Sequence, residues 1–270
     1  MTITQEFKLV VSDMDGTLLD ENHQIPDDFW PILRRMHQQG IAFAPASGRQ
    51  LYTLLNQFEL AECPLSVIAE NGTVIYHHGE IISTTTIDQQ STHNIIDLVE
   101  SHPEIDWGLA LCRTDGAFVS RTDEQFLSEG TRYYARLTHI NNLHDAVNDQ
   151  VIKLALYSFE DVQLRAESLL REATDNLAIA VSGKHWIDVM NQEANKGRAL
   201  ETLATHMGIN ISETLAFGDY LNDFELMQTA GTTFAMENAH PKLKEIADHI
   251  APTNTAHGVV TTLDRLFPEN

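Results

Sequence analysis

The stretch KLVVSDMDGTLLD, residues 8–20, decides how the rest of the chain is interpreted. Its apolar run at residues 9–11 is typical of a strand that is buried on both faces, and Asp13 and Asp15 stand at the end of that strand. Burying an unpaired charge costs several kcal/mol, so two carboxylates there require a cation, strong hydrogen bonds or open solvent. A partner for these carboxylates is therefore expected elsewhere in the sequence.

Length and composition set the broad class of the protein. The 270 residues suffice for one large domain or two modest ones. No run of about 18 apolar residues occurs, and the first six residues lack the basic-then-apolar order of a secretory signal, so we expect a soluble, cytoplasmic protein. The net charge of −22 opposes binding to nucleic acid or to an anionic membrane, and no protein partner is evident. Cys63 and Cys112 have no metal-type spacing, which argues against a thiolate zinc site.

Strand and helix patterns alternate in the first and last thirds of the chain. Strands are predicted at residues 7–12, 41–46, 66–69, 214–217 and 232–235, and helices at 27–39, 47–58, 196–207, 241–247 and 259–267. This α/β alternation predicts a Rossmann-like core domain, a parallel sheet with helices on both faces.

The middle third has a different pattern. The segments WGLALC, AFVS, VIKLALYS, LAIAVS and WIDVM read as hairpin-like strands with helices between them. That order predicts an inserted α/β domain with an antiparallel sheet. We assign residues 1–83 and 188–270 to the core and residues 84–187 to the insertion.

Polar clusters follow the predicted strands of the core. SGR (47–49) follows one strand, GDYLND (218–223) follows another, and NKG (195–197) opens a predicted helix. Each cluster has an ordinary explanation as a polar turn, a helix cap or a surface lysine. Ligands of open α/β sheets bind beyond the carboxyl ends of the strands, however, so the joint occurrence of these clusters favours one site.

Hard cations such as Mg²⁺ take oxygen ligands and usually keep a phosphate oxygen in their shell. Asp13 and Asp219 would supply carboxylates if their strands are neighbours. Asp15 lies two positions beyond Asp13, so its side chain can face a substrate while its backbone carbonyl faces the metal. A helix N-terminus at residues 47–48, together with Lys196, would hold the remaining phosphate oxygens. The pattern therefore predicts a phosphoryl-transfer site.

The order of these motifs resembles the haloacid dehalogenase-like hydrolase superfamily, and within it the Cof-type branch of sugar-phosphate phosphatases. The matching motifs are DMDGTLL, ASGR, AENGT, NKGRAL, GDYLND, AMENAHPKLKEIADH and HGVV, which span nearly the whole chain. The first and the fifth are the most specific. Glu237 stands where relatives commonly have glycine, a departure that removes no catalytic group.

The resemblance implies a role for each matching residue. Asp13 would attack phosphorus and become an aspartyl-phosphate, while Asp15 would protonate the leaving alcohol and then activate water. Mg²⁺ would be held by Asp13, the Asp15 carbonyl and Asp219, with Asp223 either a direct ligand or a group beside the ligands. The residues implied to hold the phosphoryl group are Met14, Ser47, Gly48, Lys196 and Asn222.

The insertion resembles the α/β cap of the family, which closes over the core and contacts the leaving group. The turn at residues 183–186 either touches substrate or is a solvated hairpin turn, and Arg113 and Arg121 are equally open. Asn71 either contacts the site or stabilises its own turn. The implied activity is a Mg²⁺-dependent phosphatase acting on small phosphorylated metabolites, with sugar phosphates expected first. The alternatives are a phosphomutase and a non-catalytic phosphoacceptor or metabolite-binding module, and Asp15 and the insertion argue against the module.

Overall fold

The computed structural model of the protein describes residues 6–159, 167–173, 176–181 and 185–269. The strands in this part of the chain are β1 Leu9–Ser12, β2 Ala42–Pro45, β3 Ser66–Ala69, β4 Val74–His77, β5 Glu80–Thr84, β6 Trp107–Arg113, β7 Gly116–Val119, β8 Leu137–His139, β9 Val151–Ser158, β10 Leu177–Val181, β11 Trp186–Asn191, β12 Thr214–Gly218, β13 Thr232–Met236 and β14 His249–Ala251.

The helices are α1 Phe29–Gln38, α2 Leu51–Gln57, α3 Gln89–Glu100, α4 Glu124–Tyr133, α5 Glu167–Ala173, α6 Lys196–Met207, α7 Phe224–Thr229, α8 Pro241–Ile246 and α9 Gly258–Leu266. Helix α6 has the predicted bounds, because Asn195 caps its first turn and Gly208 ends it in the left-handed conformation at a φ of 68°. Within the described residues, no helix has both the length and the apolar character that a bilayer span requires.

The core domain is built on a parallel sheet with the strand order β14-β13-β12-β1-β2. The register pairs Ser12 with Phe217 on one side and with Pro45 on the other, so β1, β2 and β12 end at the same edge of the sheet. A parallel bridge from Ala46 to Ile68 leads on to the antiparallel strands β3, β4 and β5. Residues 9–11 of the central strand β1 are fully buried, as their apolar run predicts. The predicted fold class is confirmed.

The inserted domain, the cap, has a six-stranded sheet in the order β10-β11-β9-β6-β7-β8, antiparallel except for the pair β7 and β8. Side chains alternate between its two faces because the strand period is two. One face of β9 and β11 packs under α3 and α5 and carries Leu154, Leu156, Ile187 and Val189. The opposite face, which is directed towards the core domain, carries Lys153, Ala155, Tyr157, Trp186 and Asp188.

Strand β11 extends the cap sheet beyond residue 187, the predicted end of the insertion. It pairs with β9 and β10 and continues to Asn191, whose side-chain amide donates to the Thr86 carbonyl at 2.9 Å. The two crossings between the domains thus meet at this contact. We propose that the chain returns to the core after Asn191, because a boundary at residue 188 would divide a hydrogen-bonded strand.

Candidate active site

Three carboxylates converge where the neighbouring strands β1 and β12 end. Oxygen atoms of Asp13, Asp219 and Asp223 all lie within 4.8 Å of one another. Their close approach depends on glycine. Gly16 has a φ of 79°, and a Cβ at this position would lie 2.3 Å from Asp219 Oδ2. At Gly218 a Cβ would lie 2.7 Å from Asp223 Oδ2. No larger residue fits either position without displacing a carboxylate.

Lys196, the first residue of α6, is the cation of this cluster. Its side chain is 0% exposed, and its Nζ lies 2.6 Å from Asp13 Oδ1 and 2.6 Å from Asp223 Oδ1. The second oxygen of Asp223 accepts hydrogen bonds from the backbone N–H groups of Asp219 and Tyr220, at 3.0 and 3.3 Å. Both oxygens of Asp223 are therefore engaged within the protein.

The electrostatics of the cluster favour an additional cation. Burial, and then the neighbouring carboxylates, raise the pKa of both Asp13 and Asp219 above its usual value. Burial alone would lower the pKa of Lys196, but Asp13 and Asp223 raise it, so the ammonium stays charged. One lysine cannot balance the charge of three ionised carboxylates. Grouped carboxylate oxygens are ligands that suit a hard divalent cation, so the cluster fits such an ion.

Asp15 lies beside this cluster but has a different partner. Its carboxylate binds the Arg49 guanidinium through two contacts, 2.6 Å from Nη2 to Oδ1 and 2.7 Å from Nε to Oδ2. Burial would raise the pKa of Asp15, but the Arg49 pair outweighs this effect and lowers it. Arg49 also donates to the Arg132 carbonyl of the cap at 3.2 Å and lies over the Tyr133 ring. The sequence patterns did not predict this role of Arg49, although Arg49 is the third residue of the SGR motif that follows a predicted strand.

Residues 47–50 form a loop, which corrects the prediction of a helix N-terminus at Ser47 and Gly48. Helix α2 begins at Leu51. Three donors from other segments occupy the carbonyls that a helix would use: the Asn71 N–H is 2.9 Å from the Ser47 oxygen, Lys153 Nζ is 2.7 Å from the Gly48 oxygen, and the Glu70 N–H is 3.1 Å from the Arg49 oxygen. The loop therefore keeps a non-helical path at the edge of the sheet.

A cleft lies between the two domains. Its core side is lined by Asp13, Asp15, Ser47, Gly48, Arg49, Asp219, Tyr220 and Asn222, and its cap side by Tyr133, Tyr134, Lys153, Trp186 and Asp188. Lys196 and Asp223 are fully buried beside Asp13, whose carboxylate lines the cleft. The Met14 side chain is fully buried, so only the backbone of this residue remains for contact with a ligand.

The remaining sequence candidates divide between the cleft and the surface. Trp186 lines the cleft, whereas Gly183 and Lys184 lie outside the described residues. Arg113 pairs with Asp115, and Arg121 binds Asp106 and Asp123, away from the cleft residues.

Asn71 connects the core side and the cap side of the cleft through two side-chain hydrogen bonds. It has a left-handed φ of 56° in the turn after β3. Its side-chain oxygen accepts from the Asn222 amide at 3.1 Å, and its own amide donates to Asp188 of the cap. This residue therefore stabilises the turn and also holds two cleft residues.

Comparison with known proteins agrees with this arrangement. The family model described as haloacid dehalogenase-like hydrolase matches residues 10–263. A 5-amino-6-(5-phospho-D-ribitylamino)uracil phosphatase of Escherichia coli is 29% identical over 263 residues, with 96% of each chain covered. The phosphatase YwpJ of Bacillus subtilis is 30% identical, with 96% of this chain and 100% of YwpJ covered.

Among solved structures, a haloacid dehalogenase-like hydrolase from B. subtilis has a TM-score of 0.86 at 26% identity, covering 96% of this chain and all of its own. The named relatives are phosphatases, which agrees with a phosphoric monoester hydrolase. The match includes the parallel sheet, the insertion and the acidic cluster between them, and the chain belongs to the haloacid dehalogenase-like hydrolase family.

Proposed function

We propose that this protein is a Mg²⁺-dependent phosphatase that hydrolyses small phosphorylated metabolites through an aspartyl-phosphate on Asp13. The observation that carries the proposal is the buried cluster of Asp13, Lys196, Asp219 and Asp223, which opens into the interdomain cleft two residues from Asp15. We expect the protein to work in a reducing compartment such as the cytoplasm, where Cys63 and Cys112 would stay as thiols.

Asp13 is the proposed nucleophile. Lys196 binds its Oδ1, which leaves Oδ2 to form the bond to phosphorus as the bond to the leaving oxygen breaks. Lys196 and the 47–50 loop, through the Ser47 hydroxyl and the Gly48 backbone, hold the oxygens of the phosphoryl group. Asn222 and the Met14 backbone complete this set.

The metal site is assigned to Asp13, the Asp15 carbonyl and Asp219. When bound, Mg²⁺ would neutralise these carboxylates and the charge that develops on the phosphoryl oxygens. Asp223 has both oxygens engaged by Lys196 and two backbone amides, so we assign it to orienting Lys196 and the Asp219 backbone rather than to direct ligation.

Asp15 is the proposed proton donor and acceptor. In its protonated form it gives a proton to the leaving oxygen, and in the second step the resulting carboxylate takes one from the water that hydrolyses the aspartyl-phosphate, which restores the protonated form. Arg49 binds both oxygens of Asp15 in the present state. A substrate oxygen must therefore displace one of these contacts before a proton can move, which would link proton transfer to an occupied cleft.

The leaving group would lie against the cap side of the cleft. Tyr133, Tyr134 and Trp186 give this side aromatic surface, and Asp188 gives it a hydrogen-bond acceptor. Sugar rings and pyrimidine rings both pack on aromatic faces, and the E. coli relative is named for a ribitylaminouracil phosphate. Both classes are therefore candidate substrates.

A phosphate-release screen tests the function. The panel contains sugar phosphates, pyrimidine and nucleotide phosphates, phosphorylated cofactors and pyrophosphate, each with Mg²⁺ or with EDTA. We expect Mg²⁺-dependent release from at least one compound and none from Asp13→Asn. Release that is absent from the whole panel would refute the phosphatase, and an isomerised product without free phosphate would indicate a phosphomutase instead.

The variant Asp15→Asn tests the proton-transfer step. It should lower turnover by about 10² to 10⁴ while Mg²⁺ and phosphate binding, measured by calorimetry, persist. Unchanged steady-state turnover in this variant would remove Asp15 from the mechanism.

A further inference from the structure

Lys153 is a cap residue whose charged end lies in the core domain. It stands on β9, on the face of the cap sheet that is directed towards the core, and its side chain is 1% exposed. Its Nζ lies 2.7 Å from the Gly48 carbonyl oxygen, 2.6 Å from Glu70 Oε2 and 3.5 Å from Asp188 Oδ1. Two of these three partners belong to the core, so the lysine connects the domains.

The Gly48 carbonyl accepts a hydrogen bond from the cap, whereas the two neighbouring carbonyls accept from the core. The Ser47 and Arg49 carbonyls accept from the backbone N–H groups of Asn71 and Glu70, both in the core. The Gly48 carbonyl accepts from the Lys153 ammonium of the cap. The 47–50 loop is therefore held partly by the core and completed by the cap.

Fixing the Gly48 carbonyl has consequences on both sides of one peptide bond. Because the peptide group is planar, the direction of this carbonyl also sets the direction of the Arg49 N–H. That N–H donates to Ser47 Oγ at 3.2 Å, and the Arg49 side chain binds Asp15. One peptide group thus orients the Ser47 hydroxyl through the Arg49 N–H, and it leads directly into the residue whose side chain binds Asp15.

Burial would lower the pKa of Lys153, but Asp188 and then Glu70 raise it, so the lysine remains charged in this buried position. Glu70 has a left-handed φ of 52° at the end of β3, and its side chain is 1% exposed. Burial raises the pKa of Glu70 and Lys153 opposes that shift, so the two groups depend on each other for charge balance. Glu70 and the Gly48 carbonyl both belong to the core, so Lys153 would lose both contacts if the cap moved away.

We propose that Lys153 is a positioning residue, which aligns the 47–50 loop only when the cap is docked and thereby makes phosphoryl transfer depend on cap closure. This inference rests on the proposed function of the same site. It assigns Lys153 an effect on turnover through Gly48 and Arg49, beyond the pairing of its charge with Glu70.

Three variants separate these effects. Lys153→Met removes the donor, and the double variant Lys153→Met/Glu70→Gln also removes the charge of Glu70. Tyr52→Phe removes a different contact between core and cap, the hydrogen bond from Tyr52 Oη to the Thr114 carbonyl at 3.2 Å. Thermal unfolding, kcat and KM are measured for each on the best substrate of the screen. Hydrogen exchange of the amides in residues 47–50 is followed by NMR.

We expect Lys153→Met to lower kcat at least about tenfold with little change in KM, because misalignment costs rate rather than substrate binding. The double variant should regain thermal stability but not kcat, and Tyr52→Phe should match the wild type. Recovery of kcat in the double variant, or an equal loss in Tyr52→Phe, would overturn the proposal. If the wild type releases no phosphate, the proposed function fails, but the role of Lys153 in aligning the loop is still tested by hydrogen exchange. The Arg49 amide should exchange faster in the double variant than in the wild type. Unchanged protection of this amide would overturn the proposed alignment.

Discussion

Replacing Lys196 with methionine should destabilise the folded protein, because it leaves carboxylates buried without their cation. The ammonium touches Asp13 and Asp223 at 2.6 Å each, and Asp219 lies in the same cluster. Methionine has a similar length but no charge, so the change removes the electrostatic partner and leaves the packing nearly intact.

The magnitude follows from the burial of the pair. Removing one partner of a buried ion pair costs about 3 to 5 kcal/mol. Because Lys196 is fully buried with two carboxylate partners, we expect the free energy of unfolding to fall by about 4 to 5 kcal/mol. With a denaturant slope of about 3 kcal/mol per molar urea, the unfolding midpoint should fall by roughly 1.5 M. Such a loss is a large part of the total stability of a domain.

Urea unfolding in EDTA, with and without added Mg²⁺, measures this loss. The pKa of Asp13 is already raised in the folded state, and the variant raises it further, so the folded form takes up protons before the unfolded form does. Acidification from pH 8 towards pH 5 should therefore reduce the difference in urea midpoint between the variant and the wild type. At pH 8, added Mg²⁺ should restore part of the midpoint that the variant has lost. Lys8→Met, which breaks the pair between exposed Lys8 and half-buried Glu213, is the matched control and should lower the midpoint far less. A variant midpoint equal to that of wild type at pH 8 in EDTA, or a gap that widens on acidification, would refute the reasoning.

Three further predictions test the site and its surroundings. Gly16→Ala should weaken Mg²⁺ binding at least about tenfold by calorimetry, because the new Cβ would overlap Asp219 Oδ2 and φ is left-handed; unchanged affinity would contradict the required close approach. Asp219→Asn should raise the unfolding temperature in EDTA and abolish its increase with Mg²⁺, because it removes one of the mutually repelling carboxylates; an undiminished Mg²⁺ response would exclude Asp219 as a ligand. In the native protein Cys63 should react with a thiol reagent while Cys112, fully buried and with its pKa raised by burial, should not; two thiols titrating before unfolding would disprove this.

The core half of the site was predictable because its signals are local. Asp13, Ser47 and Asp219 each follow a strand whose apolar run is visible in the sequence, and Lys196 opens a helix with clear caps. Parallel strands bring such positions to one edge of the sheet. The same local reasoning misplaced the start of α2, because the 47–50 carbonyls bond to segments that a local pattern does not include.

The interdomain half was not predictable in this way. Arg49 meets Asp15 across 34 positions, Lys153 meets Gly48 across 105, and Asn71 meets Asp188 across 117. The Lys153 and Asn71 contacts depend on how the cap docks on the core, whereas the Arg49–Asp15 pair joins two distant segments within the core; no periodicity encodes any of the three. Two short strands, β8 and β14, were also missed, since three residues are too few for a recognisable alternation.

The alternation of side chains in β9 and β11 has a consequence for how new specificities can arise. Positions 186 and 188 line the cleft, whereas positions 187 and 189 pack under the cap helices. A substitution at position 186 therefore alters what the cleft contacts without opening a void under the cap helices, whereas Asp188 is also held by Asn71 and Lys153. Libraries randomised at position 186 should therefore yield folded proteins at higher frequency than libraries randomised at 187 or 189, so substrate preference can change at this position with little effect on the fold.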